Sequence, residues 1–488
     1  MIFNSIPFFV FFIVVFIIYW SLQKYRYLQN IVLLFASYFF YGYASWKMIP
    51  LLLLCTIAFY FIGIAININM KKGTPEGDSY ASLYTTIGVV LGISLLAYFK
   101  YLNFFIDEFS SLLKHIGINN NIHSFGIIMP LGISFFTFKL ISYVLDIHHS
   151  KQQPSTDFIS FATYISFFPT ILSGPIDKPQ FINQLDNPRI FKYEVAVDGC
   201  RQILWGLFKK LVIADNCALY VEQVWSGLSN QSGSTLILTM ILYSIQLYSD
   251  FSGYSDMAIG VGKLLGLKIT TNFKTPFFAL NVADFWRRWH MSLTQWLTDY
   301  VFMPLNIKFR DWGNWGLILA ILINMELVGI WHGANWTYAL FGIYHGFLFI
   351  PLILTGAFSK KSKIRTYSNI DLPFFSDFCK ILLTFSLVCI GQLIFRAENI
   401  GQIGEYIYGI FDKSLFSIPW LHNRDFYVPT FGFIGLMILI EWINRSYEHG
   451  LSRMFKYKWL NWVIYYILIF IVYKYQPQEE IQFIYFQF

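Results

Sequence analysis

The sequence predicts an all-α, polytopic membrane protein, and three observations carry that expectation. Hydrophobic residues make up 56% of the 488 positions and charged residues only 13%, a balance that belongs to membrane chains. The apolar residues fall in long runs separated by short basic loops. Those runs lack the alternation of barrel strands, and a bilayer offers the backbone no hydrogen bonds, so the runs must be helices. The net charge of +7 does not point to nucleic acid, because Lys and Arg cluster between apolar runs as the positive-inside rule requires. The 52 Phe and 32 Tyr suit lipid-facing surface and interfacial belts, with the bilayer itself as the first partner.

In chain order, runs long enough to span, or nearly so, cover residues 2–20, 30–45, 48–69, 81–99, 125–145, 234–249, 315–331, 336–356, 379–395, 426–443 and 459–475, about eleven crossings. One integral membrane domain over 1–488 is expected, with N-terminal helices in 1–150, a re-entrant core in 156–346 and C-terminal helices in 347–488. Met1 to Trp20 has no basic residues, and Lys24 and Arg26 follow it. That order reads as a retained first helix with its N-terminus outside, not a cleaved signal. Lys71 with Lys72, His148 to Lys151, Lys360 to Arg365, and Arg445 to Lys458 mark further cytoplasmic loops.

Between 156 and 315 the pattern breaks. Phe167 to Pro175 holds two prolines and a glycine, and Pro276 interrupts the next candidate. Non-helical backbone at membrane depth is tolerated only where protein or water covers it, so re-entrant or interfacial helices around a cavity are predicted here. No internal repeat supports a transporter built from inverted halves. The five cysteines form no CxxC pair and read as packed small hydrophobes, so neither a disulfide nor a metal site is assigned.

Polar groups concentrate from Phe285 to His345, where three of the nine histidines lie. Ionisable side chains are costly inside a bilayer and mark function there. His332 ends an apolar run, and a desolvated neutral imidazole can accept a hydroxyl proton. Asn335 and the indoles of Trp331 and Trp336 are candidate donors to a developing oxyanion. Two readings are open for Arg287 and Arg288: guanidinium groups snorkelling to lipid phosphates, or attraction of an anionic acyl donor with His290 facing the cavity. Glu326 need not meet His332, lying about 240° around an ideal helix from it. His345 reads as a packing hydrogen bond. Asp250 and Asp256 flank Gly253, and helix capping is a commoner use for such acids than cation binding. No G-x-S-x-G, P-loop or H-E-x-x-H occurs, which argues against soluble-type hydrolases, kinases and zinc proteases.

Several segments in order resemble one family. They are Pro130 to Phe138, Phe167 to Pro169 with Ser173 to Pro175, Gly206 to Lys210 with Ile213 to Asn216, and Asp250 to Gly260. Phe285 to Leu305, Trp331 to Ala334, Phe395 to Ala397 and Phe483 to Phe488 follow. The chain resembles the membrane-bound O-acyltransferases, most closely their bacterial alginate O-acetylase-like branch. The resemblance implies helices enclosing a funnel, with the family histidine at His332 and the second family position at His290. It also implies residence in the bacterial cytoplasmic (inner) membrane. The reaction it implies moves an acyl group, usually acetyl, from a cytoplasmic thioester such as acetyl-CoA or an acyl carrier to a hydroxyl of an extracytoplasmic polysaccharide. An extracytoplasmic acetyltransferase partner is expected, and no tightly bound cofactor or metal. D-alanyl transfer to teichoic acid, lipid acylation and, outside enzymes, a transporter stay open as alternatives.

Overall fold

The computed structural model describes all residues except 119–123, 361–362, 367–370, 422–423, 454–456, 480 and 485–488. Most of the expected C-terminal motif, Tyr485 to Phe488, therefore lies outside the described residues. The regular structure among the described residues is all helical, with no strand. Six helical stretches among them are long and apolar enough to cross a membrane: Arg26–Met70, Pro75–His115, Arg310–His332, Trp336–Leu354, Phe375–Arg396 and Tyr427–Asn444. The first two, 45 and 41 residues long, each exceed one crossing, which needs about 20 residues. The sequence expectation is about eleven crossings, and by length and composition these six stretches qualify. Ile6–Ser21 and Ile133–His148 are only 16 residues each, and Gly233–Leu264 carries Asp250 and Asp256 in its interior.

The chain forms two compact units: Met1–Gly199 with Val261–Thr270, and Cys200–Gly260 with Thr271–Phe488. In the first unit, the expected break after Phe167 is present. Helix Phe158–Ser166 stops at Phe167 (φ −47°, ψ 110°), and a four-residue turn, Phe168–Ile171, follows with Pro169 near its start. The freed Phe168 N–H donates to Ser37 Oγ at 3.1 Å, and residues 161–177 are all buried. Protein covers the irregular backbone, as burial at membrane depth demands. Gly132 adopts φ +71°, and a Cβ there would run into the Ile171 carbonyl, so only glycine fits. Buried Lys139 donates to Tyr164 O at 3.1 Å and Thr170 Oγ1 at 2.9 Å. Asp177 Oδ1 accepts from the Thr270 N–H and hydroxyl at 3.0 and 2.9 Å, fixing the returning 261–270 segment.

The second unit is built on two helices that touch backbone to backbone. A Cβ on Gly206 would lie 2.6 Å from the Gly253 carbonyl oxygen, so only small residues permit this approach. Around that contact lies a buried charge network. Lys209 pairs with Asp256 at 2.7 Å, and Lys210 with Asp215 at 2.7 Å and Asp250 at 2.8 Å. Both lysines occupy a π-helical segment, Phe208–Ala214, within the chain's long helical run. The capping role expected for Asp250 and Asp256 is corrected here. They sit mid-helix, where their carboxylates neutralise lysines that could not stay charged alone in an apolar interior. Asp250 Oδ2 also accepts the Ile484 N–H at 2.9 Å, and Asn216 Nδ2 donates to Tyr475 O at 2.9 Å. The same polar centre therefore anchors the C-terminal segment.

Candidate active site

The seven residues singled out around this site, Arg287, Arg288, His290, Trp331, His332, Asn335 and Trp336, all belong to the second unit. Helix Gly313–His332 ends on His332, and helix Trp336–Leu354 begins four residues later. The reversal is tight because Asn335 caps the second helix: its Oδ1 accepts the Thr337 N–H at 3.0 Å, and its Nδ2 donates to Glu398 O at 2.8 Å. The two helices then pack closely, since a Cβ on Gly342 would stand 2.6 Å from the Met325 carbonyl oxygen. This places His332 at a buried helix end, 5% exposed. Its imidazole meets Phe395 edge-on at 4.9 Å between ring centroids and Trp331 at 4.9 Å.

His290 reaches the same place from a different element. It stands before helix Met291–Leu297 in left-handed backbone (φ 42°, ψ 52°), a conformation that costs a non-glycine residue about 1–3 kcal/mol and collects at functional sites. Asn272 holds it there. The Met291 N–H donates to Asn272 O at 2.8 Å, and the Ser292 hydroxyl donates to Asn272 Oδ1 at 2.9 Å. His290 Nδ1 lies 3.1 Å from the same oxygen. An amide oxygen only accepts, so the proton is on Nδ1 and the lone pair is on Nε2. The segment is not one of the spanning helices, and burial pushes the imidazole down to about 3, so it is neutral at physiological pH. Asn272→Ala is expected to lower turnover about tenfold to a hundredfold with little change in KM, because it releases the tautomer and ring orientation without removing the imidazole. Steady-state kinetics on membranes with matched protein levels check this.

Trp331 joins the two histidines. Its indole lies 4.9 Å from the His332 ring and 5.7 Å from the His290 ring. Phe251 closes the other side of His290 at 4.7 Å. A cavity of about 610 Å³ begins at Phe395, whose ring backs His332, and includes Asn335, Tyr243 and Arg396 in its lining. A second, of about 30 Å³, adjoins Asn272 and Lys209, room for about one water.

Residues 35–388 match the sequence pattern of the membrane-bound O-acyltransferase family. The chain belongs to that family. Among its relatives, the probable alginate O-acetylase AlgI of Pseudomonas aeruginosa is 34% identical over 446 residues, 90% of this chain and 80% of that one. The peptidoglycan O-acetyltransferase of Helicobacter pylori is 31% identical over 492 residues, 88% and 85% of the two chains. A teichoic acid D-alanyltransferase of Bacillus subtilis is 31% identical over 282 residues, 55% and 69%. This O-acyltransferase is thus a multi-pass membrane enzyme, and both histidines lie within the matched region.

The arginines stand apart from this constellation. Arg288 Nε binds Asp284 Oδ1 at 3.0 Å. Arg287 Nη2 donates to Phe358 O at 2.7 Å, and Nη1 to Lys360 O at 3.4 Å. Both guanidinium groups are thus engaged by protein. Asn335 serves as cap and tie, and His345 accepts the Trp286 indole N–H at 3.3 Å, the packing bond its position suggests. Sequence reasoning missed Asn272, eighteen residues before His290 in an irregular stretch with no motif. Phe395 stands out in the sequence only as part of the resembling segment Phe395 to Ala397.

Proposed function

We propose that the enzyme transfers an acetyl group from a cytoplasmic thioester donor to a hydroxyl of an extracytoplasmic polysaccharide, passing it on through a separate extracytoplasmic partner protein. The observation that carries this reading is the buried His332, one aromatic ring away from a cavity of about 610 Å³ and one indole away from His290. In the proposed step, the His332 imidazole takes the acceptor hydroxyl proton as the oxygen attacks the thioester carbonyl. The C–S bond then breaks, and the leaving thiolate takes that proton back. His290 serves the donor side through its Nε2 lone pair. Burial excludes water, which would otherwise hydrolyse the thioester. Relatives named for alginate and peptidoglycan O-acetylation support a polysaccharide acceptor. The teichoic acid D-alanyltransferase match keeps D-alanine as the competing acyl group.

Mild base releases ester-linked acyl groups from envelope polymer, and the released acid identifies the group. Acetate that disappears when the gene is deleted is the expected result. Loss of D-alanine with acetate unchanged would replace the acetyl reading by alanylation.

A further inference from the structure

One helix bears on His290 at two successive turns, and the consequence for turnover rests on the acyl-transfer reading above. On helix Gly233–Leu264, Phe251 packs edge-on against the His290 ring at 4.7 Å. One turn further along the same face stands Ser255, whose Oγ accepts from Asn272 Nδ2 at 3.3 Å. Asn272 in turn offers its Oδ1 to His290 Nδ1 at 3.1 Å and to the Ser292 hydroxyl at 2.9 Å. Asn272 is fully buried, and Ser255 is 2% exposed. The helix is itself pinned at this level. Asp256, the next residue, pairs with Lys209 at 2.7 Å and accepts from Gln202 Nε2 at 2.8 Å.

We propose that Ser255 is a positioning residue for His290 and acts through Asn272. A side-chain amide has a donating end and an accepting end, and at a fully buried site both need partners. Ser255 supplies the acceptor for the nitrogen end, which leaves the oxygen end aimed at His290. Without that acceptor the buried N–H turns toward the water-sized cavity that Asn272 and Ser255 both line, and the oxygen leaves His290 Nδ1 as it turns. The imidazole then loses the bond that keeps its proton on Nδ1 and its lone pair on Nε2. A serine that only packed its helix would leave the tautomer of His290 untouched.

The test uses the full-length protein in lipid nanodiscs with isotope-labelled histidine and nitrogen NMR, the His290 ring signals being assigned by their loss in His290→Gln. A single form protonated at Nδ1 is expected for His290 in the wild type, and a mixture of both tautomers in Ser255→Ala. In steady-state kinetics, Ser255→Ala is expected to lower kcat about three- to tenfold with little change in KM. Adding Ser255→Ala to Asn272→Ala is expected to cost less than about twofold more, since a residue that acts through Asn272 then has nothing left to act on. Losses that multiply in the double variant overturn the proposal. So does an unchanged kcat in Ser255→Ala, or a single Nδ1-protonated His290 in that variant. The NMR readout needs neither acyl donor nor acceptor, so its failure is distinct from failure of the acyl-transfer reading, which shows as transfer surviving without His332.

Discussion

Lys210→Met is expected to destabilise the protein by about 3–5 kcal/mol, the cost of leaving buried charge without its partner. The lysine is 3% exposed, and its Nζ stands 2.7 Å from Asp215 and 2.8 Å from Asp250. Without it, two carboxylates face each other in an apolar interior, and Asp250 also loses the cation beside its bond to the Ile484 N–H. Replacing the whole triad with apolar residues of similar volume is expected to recover most of the loss, because the penalty comes from unpaired charge and not from the missing ion pairs. Thermal denaturation of detergent-solubilised protein measures both. A single variant as stable as wild type would show that the lysine is neutral or solvated in place.

His332→Ala is expected to lower acyl transfer by about 10²–10⁴-fold, the range a positioned general base contributes. Its abundance should hold, since the substitution removes ring contacts with Phe395, Trp331 and Phe341 at the last residue of a helix. His332→Gln tests the role more finely. It retains a hydrogen-bonding group but cannot take a proton, so activity close to wild type would reduce His332 to orienting the acceptor. A loss as deep as that of alanine identifies proton transfer. Kinetics on membrane vesicles at matched protein levels distinguish the two.

Much of this architecture was legible in the sequence, because bilayer physics writes itself into composition. The spanning runs, the break at Phe167 to Pro175 and the polar group at the end of the Trp315–Trp331 run each follow from what lipid forbids. The ion pairs were not legible. Lys210 meets Asp250 from forty residues away, and nothing in either local pattern distinguishes a paired aspartate from a capping one. The partner of His290 was hidden for the same reason: Asn272 lies in a stretch without periodicity, and its amide acquires meaning only when the chain folds back onto Met291 and Ser292. Arg287 and Arg288 looked available because a sequence does not show that carbonyls at Phe358 and Lys360, and the carboxylate of Asp284, already hold them.

The most direct test of His332 as the proton acceptor is the ester-bound acetate on envelope polysaccharide in three strains: wild type, deletion, and His332→Ala at wild-type membrane abundance. Acetate falling to the deletion level in the His332→Ala strain is the predicted result. Acetate at the wild-type level in that strain would contradict it and move the chemistry away from His332.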